Sequence, residues 1–308
     1  MNEPGGQAEE SDDTRTVALL VLAHCAPAAL EALAGVFAVP GFHVYVHLDL
    51  KVDRAQYSVG RRWPRNLTFI DDRVDVYWGG FSMIKATEAL ARAALSDEAH
   101  GAFALVSDDT LPLVPPSEIR RQLLARPDRI DVGISRRNPP FLRRYTEWFL
   151  MDCGATSARP VDIGLRNVDD TMLESIGRLV RLRARGKYPF PEVWGGSQWW
   201  SLGREDLAWA LRELSSNVWL RESFEFSAVP DELAFQTIYA NRRGLTARSF
   251  TSPMLTDMTR NPSPYVFRTA DELPPTPEGK LFVRKVADEA AADVLQELQI
   301  RWQESAVG

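Results

Sequence analysis

The sequence predicts an α/β protein built on a mostly parallel central sheet with helices on both faces. Two observations carry this. Apolar runs such as TVALLVLAH (16–24) and GAFALVS (101–107) lack the alternation of a half-wet strand, so both of their faces must be covered. Segments of helical period separate these runs, which is the order that places parallel strands side by side with crossover helices. The composition agrees: 308 residues, 45% hydrophobic and 25% charged, can bury a full core and are too apolar for a disordered chain.

Taken in order, residues 1–15 are acidic with no apolar core, which reads as a loose tail and not as a signal peptide. After the first strand, AALEALAGVFAV has helical composition and ends at Pro40-Gly41. FHVYVHLDLK (42–51) reads as a second strand and LTFID (67–71) as a third. SMIKATEALARAALSD is a helix with Met83, Ala86, Leu90, Ala94 and Leu95 at helical spacing. GAFALVS is the fourth strand, stopped by DDTLPLVPP. SEIRRQLLA reads as a helix with Ser117 as N-cap, and DVGIS (131–135) as a strand.

Beyond residue 136 prolines and aromatics become frequent, and six of the nine tryptophans lie between Trp148 and Trp219, which predicts an aromatic-rich C-terminal lobe. TMLESIGRLVRLRARG is a helix closed by Gly186, SQWWSL a short strand, and REDLAWALREL and DELAFQTIYANR two more helices. Residues 251–279 hold six prolines and read as an ordered loop; VRKVADEAAADVLQELQIRW (283–302) closes the chain as a helix. One domain, 16–308, is expected, with a nucleotide-binding lobe (16–136) and an acceptor and catalytic lobe (137–308).

Charge and cysteine usage narrow the function. The 36 Lys and Arg against 42 Asp and Glu give a net charge of −6, with no basic cluster to hold nucleic acid or an acidic membrane surface. Cys25 and Cys153 are the only cysteines, and no C-x-x-C is present, so a disulfide framework is not expected and a reducing, cytoplasmic setting is. No apolar run approaches the ~18 residues of a membrane span. The four histidines (24, 43, 47, 100) lack metal-ligand spacing, and neither G-x-S-x-G nor G-x-x-x-x-G-K-[ST] occurs.

Ligands of such sheets lie outside the carboxyl ends of the strands, which directs attention to His24, to His47–Lys51 and to Ser107–Pro112. HLDLK puts His47, Asp49 and Lys51 on one face if the strand continues, a place for nucleoside contacts or for a plain polar strand end. Asp108 and Asp109 follow the fourth strand. Adjacent carboxylates on an extended chain diverge, so a shared metal ion is disfavoured, and turn chemistry is the competing reading.

WGGSQWWSL (194–202) combines glycines that permit close approach (Gly196), polar groups (Ser197, Gln198) and the flat rings of Trp194 and Trp199, a set that suits a sugar unless the tryptophans fill core. WGGFS (78–82) precedes a helix N-terminus, a position suited to an anion. Glu232 of VPDELAFQTI can act as a general base at a helix start, where acidic residues also gain from the helix dipole alone. Arg284 and Lys285, with Arg260 and Arg268 before them, can neutralise a diphosphate without a metal or form a solvated basic patch.

In order, VALLVLAH, VYVHLDLK, WGGFSMIKATEALARAAL, FALVSDDTLPL, WGGSQWWSLGRE, PDELAFQTI and KLFVRKV resemble the core-2/I-branching β-1,6-N-acetylglucosaminyltransferase-like family, glycosyltransferase family 14, over residues 17–290. The resemblance implies a GT-A-like fold and inverting transfer from a nucleotide sugar, a uridine diphosphate sugar by default, to a hydroxyl of a glycan or small-molecule acceptor. No metal or other cofactor is implied. It carries the catalytic base to Glu232, leaving-group stabilisation to Lys285 with Arg268 or, second, Arg260 as partner, and a nucleotide contact to Asp49; His24, Ser107 and Asp108 join that side by position. Arg144-Tyr145 falls near the acceptor stretch. Many members carry an aspartate where Thr110 stands. Two other readings are a metal-dependent nucleotidyl- or glycosyltransferase centred on Asp108 and Asp109, and a non-catalytic carbohydrate-binding protein.

Overall fold

The computed structural model describes residues 13–134, 139–152, 170–185, 189–190, 192–247, 249 and 251–307. Residues 1–12, Cys153 and the helix-closing Gly186 lie outside them. In chain order the strands are β1 (Thr16–Ala23), β2 (Phe42–Leu48), β3 (Leu67–Phe69), β4 (His100–Ser107), β5 (Leu111–Pro112), β6 (Gly133–Ile134), β7 (Trp194–Gly195), β8 (Ser201–Gly203), β9 (Met254–Thr256) and β10 (Phe282–Arg284). The helices are α1 (Pro27–Val36), α2 (Ser82–Leu95), α3 (Pro116–Ala125), α4 (Pro139–Thr146), α5 (Asp170–Arg185), α6 (Arg204–Ser216), α7 (Val218–Glu225), α8 (Ala234–Arg242) and α9 (Ala291–Val307).

The main sheet runs β3-β2-β1-β4-β8, parallel except for β8, which is antiparallel to β4. β1 lies at its centre. Each of Val17–Val21 is fully buried, which is why the run carries no polar alternation. Pairing of Ala23 with Leu48 and of Leu22 with Ser107 brings the carboxyl ends of β1, β2 and β4 level, so the residues after them meet at one edge. A second sheet, β5-β10-β9, stands beyond the end of β4, and β6 pairs with β7.

Several elements depart from the sequence reading. The second strand stops at Leu48, so Asp49 and Lys51 leave its face. Ser117 lies inside α3, whose cap position is Pro115; a proline within the first turn already suits helix entry. Among the described residues the 131–135 segment contributes two strand residues, Gly133 and Ile134, and these pair with β7 instead of joining the main sheet. Trp199 and Trp200 precede β8 instead of alternating along it. Residues 283–284 are not helical: Phe282 and Val283 pair on both sides in β10, and the terminal α-helix starts at Ala291. Its partner β9 forms within the proline-rich segment.

A buried ion pair ties α2 to α7. The Glu88 side chain, 1% exposed, accepts from both terminal nitrogens of Arg221 at 3.0 and 3.1 Å, while Arg92 reaches it at 3.4 Å. Removing one partner of a buried pair strands the other charge. Arg221→Ala is expected to lower the unfolding free energy by about 3 kcal/mol, read as a lower urea midpoint.

Candidate active site

At the end of β4 two consecutive carboxylates part. Asp108 turns back under the β1–α1 connection, where one oxygen accepts from the amides of His24 (2.8 Å), Cys25 (2.9 Å) and Ala26 (2.8 Å) and from the Tyr57 hydroxyl (2.6 Å). It thereby satisfies three successive amides of the turn that leads into α1, whose own first-turn amides, of Ala28 and Ala29, donate to Asp288 at 2.7 and 2.8 Å. Burial by itself raises the Asp108 pKa, but the hydrogen bonds from His24 and Tyr57 outweigh it and hold the group down at about 2. Tyr57, 51 residues away, carried no sequence signal of this role.

Asp109 turns the other way, toward β10. It accepts from the Ser107 hydroxyl and from Arg284 at 3.3 Å, and its carbonyl takes the amide of Val286. Asp108 and Ser107 are 0% and 2% exposed. This burial does not favour the nucleotide contact expected of them: the Ser107 hydroxyl and one Asp108 oxygen anchor the strand ends.

The cations separate in the same way. Arg284 donates to Ser107 at 2.9 Å and stacks over the Trp199 ring at 4.4 Å, which makes it an internal tie. Lys285 stands further out, its ammonium 3.9 Å from Asp109 and one third exposed. The segment carrying Arg268 runs beside it, since Phe267 donates to the Lys285 carbonyl at 2.8 Å. Arg268 pairs with Glu289 at the surface. Arg260 pairs with Asp257 at 2.6 Å and lies over Tyr265, so it braces its own loop.

Glu232 ends a short 3₁₀ turn, Pro230–Glu232, instead of opening an α-helix as expected. Val229, in the left-handed region at φ 53°, breaks the chain direction there, and its amide donates to Gly79 at 2.8 Å. The Glu232 carboxylate pairs with Arg144 of α4, 88 residues away, and about a third of each side chain is exposed. The acceptor-stretch arginine and the expected base therefore meet. Tyr145, next to Arg144, is partly buried against the main core.

The 194–200 loop spans the distance between these two groups. The Gly196 amide donates to the Glu232 carbonyl at 3.0 Å, Gln236 holds the Ser197 carbonyl at 2.7 Å, and Trp199 underlies Arg284. Its rings do not form the expected sugar platform. Trp194 is 2% exposed within the main core, and Trp199 is 7% exposed with its face taken by Arg284. The Ser197 hydroxyl accepts from the Trp199 amide. Gly196 serves the fold and not a ligand: a Cβ there would lie 2.0 Å from the Asp131 carbonyl oxygen.

The expected anion at the α2 N-terminus is internal. Asp152 accepts from the Ser82 amide at 3.0 Å and its hydroxyl at 2.7 Å, and Gly80 leaves room for it. At the β2 end Asp49, 8% exposed, accepts from the Lys51 amide at 3.0 Å and sits 3.2 Å from its ammonium. His47 accepts the Val74 amide at 2.9 Å, and burial pushes its pKa down to about 4.

Asp231, beside Glu232, is 5% exposed, and neither carboxylate oxygen meets a hydrogen-bond donor among the described residues. Burial first, then the neighbouring Glu232 charge, pushes its pKa up to about 7. The folded chain holds this proton where the unfolded chain has lost it, so stability falls as pH rises from about 4 to 7. Asp231→Asn is expected to flatten that slope, gaining up to about 4 kcal/mol relative to the parent at pH 8, measured by denaturant unfolding across pH. Gly196→Ala is expected to cost about 2 kcal/mol or more by driving the loop off Asp131, measured the same way.

Comparison with curated proteins returns no match. A model of the family described as Branch, Core-2/I-Branching enzyme, matches residues 18–260, which include most of β1, β2 through β9 and Glu232. The chain therefore belongs to the core-2/I-branching enzyme family of glycosyltransferases.

Proposed function

We propose that the protein is an inverting glycosyltransferase that moves a sugar from a nucleotide-sugar donor, a uridine diphosphate sugar by family resemblance, to a hydroxyl of a glycan or small-molecule acceptor. The observation that carries this reading is the Glu232 carboxylate, partly exposed, fixed by Arg144 and by a backbone bond to the loop that also underlies Arg284. Glu232 takes the proton of the acceptor hydroxyl. The oxygen attacks the anomeric carbon from the face opposite the nucleotide, the bond to the diphosphate breaks, and the diphosphate leaves with that electron pair.

Lys285, with Arg268 on the adjoining segment, opposes the growing negative charge by a fixed positive field, which supports transfer without a divalent ion. The divergence of Asp108 and Asp109 also favours this, because a diphosphate-chelating ion would need both on one side. His24 and Asp49 at the strand ends suit the nucleoside side. Sparse cysteines support a reducing, cytoplasmic setting.

Glu232→Gln is expected to lower kcat by roughly 10²–10⁴-fold while donor binding persists. Lys285→Ala should lower kcat by about 10²–10³-fold, and EDTA should leave the parent's turnover unchanged. Near-normal turnover of the Gln variant removes Glu232 as base, and abolition by EDTA removes the cation mechanism.

A further inference from the structure

His24, Cys25 and Asp108 form a cluster at the β1–α1 connection, and the transfer step proposed above uses neither Cys25 nor Asp108. One ligand atom from each lies within 4.8 Å of the others. The Cys25 sulfur is 3.3 Å from His24 Nε2, and His24 Nδ1 is 3.6 Å from Asp108 Oδ1. The second Asp108 oxygen holds the amides of residues 24–26 and Tyr57, but Oδ1 is buried, meets no hydrogen-bond donor among the described residues, and lies beneath the two exposed side chains. A tetrahedral zinc-class ion with bonds of about 2.0–2.3 Å separates its ligand atoms by roughly 3.3–3.7 Å; the two contacts here run to opposite nitrogens of the His24 ring, and the three groups, within 4.8 Å of one another, reach that spacing by a turn of this exposed ring.

We propose that His24, Cys25 and Asp108 bind one thiophilic divalent cation of the zinc class. Cys25 supplies a thiolate, Asp108 its unengaged Oδ1, and the exposed His24 ring turns to offer one nitrogen. Three protein ligands leave a fourth position for water. A thiolate and an imidazole in the set select zinc or cobalt over magnesium, which prefers oxygen ligands. The ion clamps the β1–α1 connection onto the end of β4. Histidine spacing gave no sign of it, because the third ligand lies 83 residues beyond Cys25.

The test is a cobalt titration of the purified, metal-stripped full chain, with no donor present, so that its outcome is independent of transfer. Thiolate-to-cobalt charge-transfer absorption should saturate at one equivalent, be displaced by Zn²⁺, and be unaffected by Mg²⁺. The band should vanish in Cys25→Ser. In His24→Ala, cobalt affinity should fall on the order of 100-fold. Zn²⁺ should raise the melting temperature of the parent and not of Cys25→Ser, with far-ultraviolet circular dichroism showing that both variants are folded. No charge-transfer band in the parent, a band that survives Cys25→Ser, or affinity unchanged in His24→Ala overturns the site.

Discussion

The division of Asp108 from Asp109 at the end of β4 organises this molecule. Successive side chains of an extended chain point to opposite faces, and here each of the two finds fixed donors. Asp108 accepts from the amides of the β1–α1 connection, which locks β1 to β4 beyond their ladder. Asp109 receives Arg284, which locks β4 to β10 and so brings a distant part of the chain to the same edge. Removing either carboxylate would leave buried donors without acceptors, and that cost enforces the turn.

From this anchor the candidate site follows by steps. Arg284 is spent on Asp109 and Trp199, which leaves the next residue, Lys285, projecting further into solvent. Trp199 belongs to a loop whose Gly196 hydrogen-bonds the backbone of Glu232. The carboxylate proposed as base and the cation proposed for the leaving group are thus joined through one short segment. Tryptophans suited by composition to sugar stacking serve here as floor and core, and rigidity at the site is what their burial supplies.

Charges buried near the site are handled in two contrasting ways. Asp108 and Asp152 sit where backbone amides and hydroxyls converge, so the charged form is met by donors. Asp231 meets none among the described residues and holds its proton toward neutrality, adjacent to Glu232, which has an arginine. Two neighbouring acids on one turn thereby differ in environment. This separation lets one remain a buried neutral group while the other faces the site.

The sequence by itself determined the apolar central strands, the helices of clear period and the family, because these depend on local burial pattern and on an ordered set of short motifs. β1, α2 and β4 appear where the pattern put them, within a residue or two. Only the tertiary structure decided the fate of short or mixed segments. FVR became strand because β5 and β9 flank it, and the PDE turn is set off from α8 at Leu233, whose φ of −127° is not helical. The Arg144–Glu232 pair, the Tyr57–Asp108 bond and the burial of Trp194 join residues far apart in the chain. Such contacts leave no periodic trace, since each depends on where whole elements pack and not on the spacing of neighbours.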